Sequence, residues 1–107
     1  MMTDAQLGLL GLGARAGTVV AGTGGVRTAL QRDELALVVV AGDHGPRTEE
    51  KVLRLARARG VQALTGPSAA ELGRRLGRGT LQVVGVRDKH LAAGILGGAE
   101  RKDARRQ

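Results

Sequence analysis

No Phe, Tyr, Trp or Cys occurs among the 107 residues. Without aromatic rings there is nothing to stack on bases, which excludes the single-strand platforms of OB folds and RNA-recognition motifs in their usual form. The core must come from Leu, Val, Ile and Ala, which supply less buried area per residue than rings do. Without cysteine there is no disulfide framework and no thiolate metal site. No run approaches the ~18 apolar residues of a membrane span. The opening Met-Met-Thr-Asp-Ala-Gln has neither the basic nor the apolar region of a signal peptide. A cytoplasmic protein with no membrane partner is therefore expected.

Acidic residues are also in the minority. Seventeen Lys and Arg stand against ten Asp and Glu, for a formal charge of +7, and fourteen of the seventeen are Arg. Arginine binds phosphate bidentately and stacks through its guanidinium plane, so this balance suits a polyanion. Ala, Gly, Arg and Val are all favoured by GC-rich codons, which gives part of the excess a genomic origin. The 42% apolar content is ordinary for a folded chain, and the length suits one domain with a single core.

Hydrophobic spacing divides the chain into alternating helices and strands. Thr3-x-x-Gln6 reads as a capping box before an amphipathic helix whose inner face is Leu7, Leu10, Gly11 and Ala14, with Gly17 as its stop. A short strand is expected over 18–21 and a second helix over about 24–32. Residues 35–41 are apolar on both faces, as in a strand covered on both sides. Pro46 opens a helix with Val52, Leu55 and Ala56 inside and Lys51, Arg54, Arg57 and Arg59 outside, closed by Gly60. A strand at 61–64, a Ser68-x-x-Glu71 capping box with a helix through Leu76, a strand at 81–86 and a last helix from Asp88 to about Leu96 complete the order. The expectation is an α/β fold, a three-layer α-β-α sandwich around a mixed four-stranded sheet, occupying 1–98 and followed by a charged tail at 99–107.

The stretch richest in chemistry runs from Arg15 to Arg32. Gly22, Thr23, Gly24 and Gly25 leave backbone N–H groups uncovered at a helix N-terminus, where the macrodipole is positive and phosphate is favoured. Arg15, Arg27 and Arg32 flank it in sequence. An acid introduced at Gly25 is expected to favour the helix, leaving stability at or above that of the parent while opposing phosphate.

Sharper motifs fail on spacing. Gly11 to Gly17 misses the dinucleotide fingerprint by one residue and falls within a helix, and no Gly-Lys-Ser/Thr follows Gly25 as a P-loop needs. Asp43 and His44 share one turn with no carboxylate cluster near them in sequence, so Asp43 is expected to cap or shape the loop. Ser68 and Thr80 read as cap and turn residues, since neither has a base nearby in sequence. No enzymatic activity, metal, cofactor or small-molecule substrate is expected.

Four pieces carry a resemblance to a known family: 12–17 leading into Gly22-Thr23, the strand and turn of 38–46, the run 71–77, and 83–89. In this order they resemble the ribosomal-protein family of L7Ae and L30e, over about residues 5–97, and look closest to its bacterial YlxQ-like branch. The resemblance implies an α-β-α domain binding kink-turn or related stem–internal-loop RNA. The family's Gly-Thr-Asn-Glu signature, with a following Lys and Arg, falls on Gly22, Thr23, Gly24, Gly25, Thr28 and Arg32. Here Gly replaces the Asn and Glu able to hydrogen-bond base edges, and Thr replaces the Lys. The family's second RNA-contacting loop falls on Gly77, Arg78, Gly79 and Thr80, with Arg74 and Arg75 just before it, and in this fold that loop lies near the second helix. The reading is an RNA-binding protein whose arginines and helix-start amides hold phosphate. The alternative is a protein-interaction module that kept the fold and lost specific RNA binding.

Overall fold

The computed structural model describes residues 2–104, and of 98–104 only the backbone. The chain forms α1 (Asp4–Ala16), β1 (Val19–Ala21), α2 (Thr23–Gln31), β2 (Leu37–Val40) and α3 (Pro46–Thr48). A π-helical turn (Glu49–Leu53) leads directly into α4 (Arg54–Ala58). Then follow β3 (Ala63–Thr65), α5 (Ala69–Arg75), β4 (Val83–Val86) and α6 (Lys89–Ala104). The backbone of α6 thus stays helical past the stop expected near Leu96. The side chains of the expected tail, 99–107, lie outside the described residues.

The four strands form one mixed sheet in the order β1-β4-β2-β3. β4 pairs antiparallel with β1 and with β2, while β3 runs parallel to β2. The unbroken apolar run of β2 has the reason expected of it. Leu37 and Val39 enter one core with Leu7, Leu10, Leu72 and Ile95, and Val38 and Val40 enter a second with Val26, Leu30, Val52 and Ala56. Successive strand residues point to opposite faces, so a strand buried on both faces has no polar position. α1, α5 and α6 cover one face; α2 and the helix through α3 and α4 cover the other.

Local caps set most boundaries. The Thr3 hydroxyl accepts from the Gln6 N–H, and the Thr3 N–H donates to Gln6 Oε1 at 2.7 Å, which closes the expected box. The same buried Gln6 donates through Nε2 to the Ile95 carbonyl at 2.8 Å, tying α1 to α6. Gly17 ends α1 in the left-handed region at φ 80°. Asp88 Oδ1 accepts from the N–H groups of His90 and Leu91. The box at Ser68 is half formed. Ser68 accepts from the Glu71 N–H, but the Glu71 carboxylate is drawn to Arg74 and Arg75 instead.

Several expectations shift, and β4 begins at Val83 and not at 81. β3 begins at Ala63 and not at 61, because the Val61 N–H is spent on the Ala56 carbonyl in the cap that closes α4 around Gly60. On the Pro46 helix, Leu53 is buried and Leu55 only half-buried, the reverse of the expected inner stripe. The π turn lies at this place in the helix. Val52 and Leu53 both pack in the second core. The inner face of α1 likewise takes Gly13, which is buried, while Ala14 is half-buried.

Candidate nucleic-acid interface

β1 ends and α2 begins at Gly22, whose φ of 93° and ψ of 157° only glycine adopts without strain. Its N–H donates to the Val83 carbonyl at 3.0 Å and its carbonyl accepts from Val26, so the turn is fastened to β4 on one side and to the helix on the other. No side chain caps α2 and no acid lies in its first turn. Among the described residues no acceptor reaches the N–H groups of Thr23, Gly24 or Gly25. Three amides at the positive end of a nine-residue helix therefore face outward without a partner.

The two central glycines are not equivalent. A methyl at Gly24 meets nothing within 4 Å, whereas one at Gly25 comes within 2.8 Å of Val20 Cγ1. Val20 is β-branched and half-buried in the sheet, so it has little room to yield. The expectation that an acid at Gly25 leaves stability intact is corrected on this ground: substitution there strains the β1–α2 packing. Gly24 is the position at which charge can be varied alone.

Beside the turn, Thr23, Asp43, Gly45, Arg47, Thr48 and Gln82 line a cleft of 610 Å³. Gln82 Oε1 accepts from the Gly45 N–H at 2.9 Å, holding the 42–45 loop against β4. Asp43 shapes the loop as expected, its Oδ1 accepting from the Ala69 N–H at 2.7 Å at the start of α5. His44 presents one ring nitrogen to the Ala41 carbonyl at 2.8 Å and the other to Glu49 Oε1 at 3.0 Å. Two acceptors on one imidazole favour the doubly protonated ring. The Ala41 carbonyl, then the Glu49 carboxylate, raise the His44 pKa above its usual value. Glu49 is lowered in turn, first by Arg57 and then by His44.

The remaining arginines divide. Arg15, Arg74, Arg75, Leu76, Gly77 and Arg78 line a cleft of 390 Å³ between α1 and the end of α5. Arg74 and Arg75 are held there by Glu71, and Arg75 also by Asp4 across α1. The paired guanidinium groups lower the Glu71 pKa, and Glu71 raises theirs. Arg27 lies in a different cleft with Lys51 and Arg54, between α2 and α4. Arg32 caps the far end of α2, about 13 Å along the helix axis from the glycine turn. Thr28 is exposed on α2.

The loop of Gly77, Arg78, Gly79 and Thr80 packs on α5, on the face of the sheet opposite α2. It leads into β4, whose Val84 pairs with Ala21 and whose Val83 carbonyl accepts from Gly22, so the strand it feeds begins beside the turn. The loop packs tightly on α5, since a methyl at Gly73 would fall on the Gly79 carbonyl. The arginines that flank the turn in sequence are thus divided between two clefts, Arg15 in one and Arg27 in the other. Arg47 and Gln82 were passed over in the sequence. Gln82, the one polar residue in an otherwise apolar run, is the signal that marks its neighbourhood.

This sheet order, layered by helices on both faces and with a glycine-headed helix exposed at one end, defines an α-β-α sandwich of the ribosomal-protein type. The chain belongs to the ribosomal protein L7Ae/L30e/S12e/Gadd45 family, whose model matches residues 4–93. Among solved structures it is similar to a protein of unknown function from Bacillus halodurans, with 29% identity, a TM-score of 0.80, and coverage of 86% of this chain and 93% of that one. It also shares its fold with the Giardia lamblia 15.5kD RNA binding protein, at 23% identity and a TM-score of 0.71, over 89% of this chain and 84% of that one. No curated protein matches by sequence.

Proposed function

We propose that the protein is a small, non-enzymatic, cytoplasmic RNA-binding protein of the YlxQ-like kind, associated with ribosomal or other structured RNA of the kink-turn class. Membership of the L7Ae family across residues 4–93 carries this reading. The likeness in fold to an RNA binding protein, the +7 charge and the open amides of Thr23, Gly24 and Gly25 support it. Leu12 is the one large apolar side chain standing exposed among the described residues, which favours the RNA reading over the protein-partner one.

In this reading the amides at the head of α2 hold a backbone phosphate oxygen, and arginines in the flanking clefts neutralise its neighbours. Gly24 and Gly25 offer no side chain to a base edge, so RNA shape and not base identity sets the preference. The Asp43, His44 and Ser68 side chains are occupied in holding loops and helix starts. They form no nucleophile–base pair.

Binding of a stem–internal-loop–stem RNA, compared with the same RNA made fully complementary, tests the proposal. The bent RNA should bind tighter. Its log affinity should fall against log salt with a slope of about −3 to −4, for four to six phosphate contacts on the single-strand coefficient. Equal affinity for both RNAs removes the kink-turn preference, and no binding to either removes RNA as the partner.

A further inference from the structure

We infer that the furrow between α2 and the α3–α4 helix is a second phosphate track, which carries the RNA strand away from the glycine turn. This rests on the reading above and extends it to a surface outside the turn and the 77–80 loop. The two helices begin at the same end of the sheet and lie side by side on one face. Two clefts follow the line between them. The first holds Thr23, Arg47 and Thr48; the second, of 430 Å³, holds Arg27, Gln31, Lys51, Arg54 and Leu55. Thr23, Arg27 and Gln31 are successive turns of α2, about 6 Å apart along its axis.

Arginines flanking this furrow are held in ion pairs, while those lining it, like Arg15, Arg32 and Arg78 elsewhere, are not, among the described residues. Arg57 is paired with Glu49, Arg59 with Asp33 and Arg87 with Glu34. Arg27, Arg47, Lys51 and Arg54 have no ion-pair partner among the described residues. Of the two acids in the furrow, Asp43 is engaged with the Ala69 N–H, which leaves Glu50. A row of four cations with a single acid left among them suits a polyanionic backbone.

The π turn contributes a separate observation. Around it Val52 and Leu53 both enter the core, and Lys51 and Arg54, on either side of them, are exposed and line the furrow. Such turns recur at functional sites, where their irregularity is retained for what it positions. Leu55 is the only large apolar residue of the second cleft and no aromatic is present, so the lining suits a sugar-phosphate chain and not base stacking.

The test uses the double variant Lys51→Ala/Arg54→Ala and stem–internal-loop RNAs whose two stems are lengthened in turn. The parent should gain affinity on lengthening one of the stems. The variant should lose that gain, with a salt slope shallower by about 1.8 on the long RNA, for two duplex phosphates at about 0.9 each. On the short RNA variant and parent should agree, and Lys51→Arg/Arg54→Lys should restore the parent's slope. Equal slopes for parent and double variant on every long RNA overturn the inference, as does an equal loss on short and long RNA. Loss of binding to a polyglutamate peptide, with RNA slopes unchanged, would make the furrow a site for an acidic protein and also overturn it. Failure of the underlying reading is separate: it shows as no preference for the internal loop in the parent itself.

Discussion

Gly73 is buried in α5 against the 77–80 loop, and a methyl there would coincide with the Gly79 carbonyl. Backbone cannot swing aside as a long side chain can. Gly73→Ala is therefore expected to destabilise by about 1–3 kcal/mol or more, read as a lower urea midpoint at unchanged m-value. Gly8→Ala, where the added methyl meets nothing, should instead stabilise α1 by about 0.5–1 kcal/mol. Equal effects at the two sites would refute the packing described. His44 supplies a pH dependence. Its folded pKa is raised by the Ala41 carbonyl and then by Glu49, so it binds its proton more tightly in the folded chain than in the unfolded. Its contribution to stability is fully present below about pH 6.5, the ordinary histidine value, and is lost as pH rises through the folded pKa. Urea unfolding at pH 6 and pH 8 should show the parent's advantage over His44→Ala shrinking at the higher pH. An advantage that stays constant, or grows with pH, contradicts the two-acceptor geometry.

At the scale of elements, what is legible in the sequence is what neighbours in sequence decide. The Thr3 box, the Gly17 stop, the Asp88 cap and the two-faced β2 each depend on residues within a few positions, and each is found where residue type and spacing put it. The π turn is not legible, because the order Glu49–Leu53 suits an ordinary helix. Only packing on two sheet strands decides that Leu53 goes inward at the expense of Leu55. The half-open box at Ser68 has the same origin, since Glu71 meets Arg75, which itself reaches Asp4 on another helix. Gln6 joins the two kinds of information: its cap is local, while its bond to Ile95 spans the chain. Gln6→Ala should cost about 1–3 kcal/mol, because the buried Ile95 carbonyl loses its donor together with the cap. Hydrogen exchange should speed first in α1 and α6. Uniform acceleration across the sheet would show that no such tie exists.

For the whole molecule, the position of the turn follows from the sheet order. β4 lies between β1 and β2, and so brings the glycine turn, the 42–45 loop and the loop before β4 to one end. The sequence shows the glycines and the arginines but not this convergence, nor that Arg74 and Arg75 are occupied by acids and Arg32 is remote. Gly24 offers the cleanest access to the surface so formed, since its side-chain position is open. The deciding measurement is the affinity of Gly24→Asp and Gly24→Ala for a stem–internal-loop RNA, with thermal unfolding of each protein measured alongside. Both variants should unfold at or above the parent's temperature, because alanine and an acid in the first turn each favour a helix over glycine. The alanine variant should bind within a fewfold of the parent, and the aspartate variant should bind at least about tenfold more weakly, as expected when a carboxylate opposes a phosphate at the positive end of α2. Parent-like affinity in a folded Gly24→Asp would contradict the placement of phosphate at the head of this helix.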